Sequence, residues 1–130
     1  MRGAYEQRYL PNEGVWLLSA PEVPFEIIVG GNSSSPSQPR MELLNKVSLH
    51  IAALSHRAQA YLDEFVDRRK FAQGTAWFFE GLEIGRNSTD PDDELHFIFS
   101  IEGDTYGSWC VTFRQTPNGF FPVRMLRAQE

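Results

Sequence analysis

The chain is poor in cysteine: Cys110 stands alone among 130 residues. An intramolecular disulfide and a multi-cysteine zinc site are therefore excluded, and a reducing cytoplasm is the natural compartment. Long apolar runs are missing as well, since nothing approaches the ~20 residues needed to cross a bilayer. The opening stretch MRGAYEQRYLPNEGVW has no apolar segment of the secretory kind and carries Glu6 and Glu13, so it does not read as a signal peptide. Positive charge is scarce too. Twelve Lys and Arg face seventeen Asp and Glu, for a net charge of −5, and the one basic cluster is the short DRRK at 67–70. Nucleic acid, which is held by a basic stripe that displaces phosphate counterions, is not an expected partner.

What is present is an ordinary globular composition, 42% hydrophobic and 22% charged, which argues against both disorder and a membrane protein. One domain spanning 1–130 is long enough to bury a core. GVWLLSA (14–20) and FEIIVGG (25–31) are rich in β-branched and aromatic residues and read as two strands joined by PEVP. The segment 30–40, GGNSSSPSQPR, reads as a flexible internal loop. It is not a phosphate-binding loop, because no Gly-Lys-Ser/Thr follows the glycines.

From about 39 to 70 the period changes. Leu44, Val47, Ile51, Leu54, Ala58, Tyr61 and Phe65 recur at spacings of three and four, and no proline or glycine occurs between 40 and 73. The expectation is one long amphipathic helix of ~45 Å. The remainder reads as an antiparallel meander: TAWFFEGLEIG (75–85) with a bulge at Gly81, LHFIFSI (95–101), SWCVTFR (108–114), the turn QTPNG, and FFPVRML (120–126), placed at an edge because Pro122 cannot donate to a ladder. The expected fold is α+β, about six mostly antiparallel strands with the helix across one face, in the order ββαββββ.

Charge is concentrated in this second half. Eight of the seventeen acids lie between Glu80 and Asp104, against Arg86 alone. The run 90–94 is consecutive on a turn, so its side chains are expected to fan into water rather than converge as a catalytic pair, and a calcium loop is excluded because a strand stands where its central glycine should be. Cys110 falls in mid-strand with no adjacent cation to stabilise a thiolate, although His96 shares its face parity one strand away. His50 and His56, six residues apart on the expected helix, do not share a face as a zinc pair would. No hydrolase, zincin, dinucleotide or kinase motif occurs, and neither a catalytic residue, nor a metal, nor a cofactor is expected.

The stretches EGDTYGSW, CVTF and FFPVRML, in the C-terminal half, resemble the closing meander of small bacterial immunity proteins, the antitoxins encoded beside polymorphic toxins. The resemblance implies a non-catalytic domain that binds and neutralises a cognate toxin. With the acidic bias, it points to a partner with a basic surface, met by Asp90, Asp92, Asp93, Glu94, Glu102, Asp104 and Tyr106, with a homodimer as a further possibility. The alternative is a small-ligand domain or small enzyme with an aromatic pocket between sheet and helix, lined by His96, Cys110 and Glu80.

Overall fold

In the computed structural model, which describes residues 5–70, 76–101, 104 and 107–128, seven strands stand side by side in the order of the sequence. They are β1 (Glu6–Leu10), β2 (Val15–Ser19), β3 (Glu26–Gly30), β4 (Trp77–Ile84), β5 (Glu94–Ile101), β6 (Ser108–Thr116) and β7 (Gly119–Ala128). Every neighbouring pair is antiparallel except β3 and β4, which run parallel and are joined by a crossover holding two helices, α1 (Gln38–Val47) and α2 (Ile51–Asp63). The fold is α+β, as expected.

Two expectations need correction. There are seven strands, not six: EQRYL pairs with β2 as an edge strand, and its first three residues are exposed, so it lacks the apolar alternation that marks a half-buried strand. The long helix is also two. It is interrupted at Ser48–His50, where the Ser48 hydroxyl donates to the Asn45 carbonyl at 2.8 Å and the His50 amide to Val47 at 2.8 Å, a tightened last turn that ends α1. The interruption spans about one turn, so the apolar stripe resumes in phase at Ile51, and the periodicity passes through the break unmarked. Nor does helix continue to Lys70. Asp63 accepts from Trp77 Nε1 and from Arg68, both at 2.9 Å, holding the chain as it turns toward β4, and Arg68–Lys70 form a separate 3-10 turn.

Both helices lie on one face of the sheet, α1 over β3 and α2 over β6 and β7. Strand alternation sends Leu18, Ile27, Val29, Leu82, Ile84, Leu95, Phe97, Phe99, Val111 and Phe113 to that face, where they meet Leu43, Leu44, Val47, Leu54, Ala58 and Leu62. The interlayer space is filled: Phe97, Phe99 and Phe113 are fully buried, with rings in contact at 5.0–5.4 Å through Phe97 and Phe79. The bulge foreseen at Gly81 is present, between Phe79 and Gly81. Pro122 sits on the edge strand β7, next to a second register shift between Thr112 and Phe113. At 30–40 the chain forms a bridge between Gly31 and Pro36, and the Asn32 side-chain oxygen accepts from the Ser34 and Ser35 amides.

Candidate functional site

Among the described residues no helix lies on the second face of the sheet, and there the polar side chains gather. Register defines its rows. One row crosses all seven strands: Arg8, Leu17, Ile28, Glu83, His96, Thr112 and Arg124. The row beside it runs Glu26, Gly81, Ile98, Cys110 and Leu126. Because side chains alternate strictly along a strand, these rows and the apolar core share the same strands while facing opposite ways.

Near the centre, His96 Nδ1 lies 2.8 Å from the Thr112 hydroxyl and its Nε2 lies 3.7 Å from the Asp90 carboxylate. Cys110 follows on the same strand as Thr112. Burial, foremost, pushes the Cys110 thiol up to about 11, against which the Thr112 hydrogen bond works only in part. At neutral pH the group is a thiol, and a thiol is a poor nucleophile. His96 and Cys110 thus do share a face, as their parity requires, but the ring is engaged by Thr112.

On the β6–β7 side, Glu94 is 2% exposed and accepts from Arg114 at 2.7 Å and also from Arg124. The hydrogen bond from Arg124, above all, holds its carboxyl below the usual range, with Arg114 adding to the effect against the cost of burial. The two guanidiniums remain about half exposed and share this one carboxylate, so the cluster shows solvent a net positive charge. On the β3–β4 side the sign reverses. Glu26 and Glu80 are exposed, and neither meets a cation among the described residues; Glu80 accepts from the Ser100 hydroxyl at 2.6 Å. Glu83 is half-buried and paired with Arg86 at 3.5 Å. Phe78 and Leu126, on the same face by register, are 64% and 63% exposed.

The structure distributes the seven acid-rich candidates among different settings rather than one patch. Glu94 is buried. The Asp104 side chain is fully buried as well, accepting from Trp109 Nε1 at 2.9 Å and from Arg127, whose guanidinium lies 4.6 Å above the Trp109 ring. Asp90 is turned toward His96 and the Asn87 amide. Asp92 is 60% exposed and 3.3 Å from Arg40, and Asp93 is exposed. The side chains of 90–94 therefore do not all fan into water. Glu102 and Tyr106 lie outside the described residues.

Glu80 lines a shallow hollow on the uncovered face with Glu26, Ile28, Gly81, Glu83 and Ile98, of about 50 Å³. That is room for a water or two rather than the ~300 Å³ or more of a small-ligand site. Among the described residues no group of three or more His, Cys, Asp or Glu is placed to hold a metal ion, and no helix is long and apolar enough to cross a membrane. The residues of this face missed in the sequence are Glu26, Glu94 as a buried anchor, and its two arginines. The signal for the last was available, because extending the polar parity of β5 back by two residues from His96 puts Glu94 on the face of Arg114. Compared with family models, curated proteins and solved structures, the chain matches none.

Proposed function

We propose that this chain is a non-catalytic protein-binding domain of the immunity type, which holds a basic partner, a bacterial toxin, against the uncovered face of its sheet. The observation that carries this reading is the pairing on one face of two large exposed apolar side chains, Phe78 and Leu126, with two exposed carboxylates that have no cation among the described residues, Glu26 and Glu80. Apolar anchors rimmed by charge are the usual make-up of a protein-binding surface, and the carboxylates would raise the rate at which a basic partner arrives. Asp92 and Asp93 add negative charge at the end of β5 that borders this face.

A binding role also agrees with the chemistry of the face. Its thiol is held protonated, its buried carboxylate, Glu94, is committed to two arginines, and its hollow is too small for an organic substrate. The test asks first whether the neighbouring gene encodes a toxin with a basic surface and, where it does, measures capture of that toxin by this chain. Reversing Glu26 and Glu80 to lysine is expected to slow association at low salt by about tenfold, with a smaller effect from reversing Asp92 and Asp93. Association at an unchanged rate in both variants would remove the acidic β3–β4 side of the face from the account.

A further inference from the structure

We infer that the edge strand β1 pairs with β1 of a second copy of this chain, antiparallel about a two-fold axis through Gln7, and joins two sheets into one. This pairing is separate from partner binding on the uncovered face, and either can fail alone. β1 ends the sheet: it pairs with β2 on one side only, and Glu6, Gln7 and Arg8 are exposed. Every second residue of such a strand turns its N–H and C=O away from its neighbour, where they template another strand. The ladder with β2 runs from Glu6 to Leu10 without a register shift, and EQRYL holds neither proline nor lysine. The other edge, β7, is guarded. Pro122 removes a donor, the register slips between Thr112 and Phe113, and the only charges of β7 are Arg124 and Arg127, which would repel a second copy.

Charge sets the register and names the occupant. Glu6 and Arg8 stand two residues apart on the uncovered side of the sheet, and neither has an ion partner among the described residues. With the axis at Gln7, Glu6 of each copy comes opposite Arg8 of the other, and Gln7 meets its own copy. Opposite charges directly across two strands attract, and like charges repel. Moving the axis by one residue sets Glu6 against Glu6 or Arg8 against Arg8. On the helical side Tyr5 comes opposite Tyr9, which already rests on Trp16 with ring centroids 5.3 Å apart, so an aromatic pair forms at each end of the ladder. A two-fold of this kind stands perpendicular to the sheet. The helices of both copies then lie on the same side, the interface is isologous, and it closes at two copies with both uncovered faces left open.

Sedimentation equilibrium of the full chain at about 0.1 mM in low salt is expected to give twice the 14.9 kDa chain mass. Glu6→Arg and Arg8→Glu, both at exposed positions, should each weaken self-association by about tenfold or more and shift the chain to the single mass. Mixed together, these two variants should recover the double mass, because their reversed charges face each other across the axis. In a second arm Gln7→Cys should crosslink to its own copy under mild oxidant, while Val123→Cys, on the β7 edge, should not. A wild type at the single mass overturns the pairing. So does a double mass that persists in both charge variants, a mixture that stays at the single mass, a failure to crosslink at position 7, or crosslinking at position 123.

Discussion

The Arg40 guanidinium occupies the space that any side chain at Gly85 would need: a Cβ built on Gly85 would lie 2.1 Å from Arg40 Nε. Arg40 stands in the first turn of α1, donates to the Gly85 and Asp90 carbonyls at 3.4 and 3.2 Å, and lies 3.3 Å from the Asp92 carboxylate. One side chain thus ties the helical layer to the loop between β4 and β5. That loop in turn brings Asp90 to His96.

Gly85→Ala should therefore lose stability twice, once through a backbone φ of +66° that alanine tolerates poorly and once through displacement of Arg40. A loss of about 2–3 kcal/mol is expected by urea unfolding. Gly14→Ala, with φ of +68° but nothing within 4 Å of the new Cβ, should lose only the backbone part, about 1 kcal/mol. Equal losses at the two sites would show that Arg40 moves aside freely.

Acid should weaken the fold through Glu94. Its carboxyl is held below the usual 4.5 by Arg124 first and then Arg114, so it contributes stability that is present above that value and is lost as the pH falls through the lower, folded-state value. Glu94→Gln is expected to destabilise by about 1–2 kcal/mol at pH 7, a modest figure because both arginines are half exposed, and to flatten the acid limb of a stability-against-pH curve. Urea titrations from pH 7 to pH 3 read both effects. An acid limb as steep in Glu94→Gln as in the wild type would assign the loss to other carboxylates.

Cys110 should be nearly inert in the native state. With the thiol pushed up to about 11, roughly one group in a thousand is thiolate at pH 8, and the sulfur is also buried. A thiol reagent should react far faster in urea than in buffer. Because the folded value is the higher one, the contribution is fully present below the ordinary 9.0 and is lost as the pH rises through 11. Fast native labelling at pH 8 would mean that β6 or β7 opens locally.

Phe97→Ala and Phe78→Ala should separate core from face. Phe97 is fully buried among Phe79 and Phe113, and its truncation is expected to cost about 3–5 kcal/mol. Phe78, on β4 but 64% exposed, should change stability by no more than about 0.5 kcal/mol while weakening association. Thermal melts and binding on the same two proteins decide it.

The sheet was legible where alternation is strong. Leu95, Phe97, Phe99 and Ile101 announce their buried face, and Gly81 and Pro122 mark the bulge and the edge, because backbone geometry restricts where each is tolerated. β1 was not legible, since an exposed edge strand needs no apolar face and Glu6, Gln7 and Arg8 supply none. The break at Ser48 was hidden by a stripe that resumes in phase. The burial of Asp104 depends on Trp109 and Arg127 arriving from two strands, which no local spacing records. Glu94 was misjudged for a different reason: as the first residue of a strand it obeys strand parity, whereas its acidic neighbours obey the turn.

The lone parallel seam between β3 and β4 has a consequence for how the chain assembles. All other ladders close through short reversals, so a three-strand piece and a four-strand piece can each zip locally, and only the seam must wait for the long crossover to be ordered. At that seam Gly81 lets the Glu26 carbonyl approach so closely that an added methyl would stand 2.3 Å from it. Hydrogen exchange on Gly81→Ala should then show the two pieces losing protection separately, turning one cooperative unit into two.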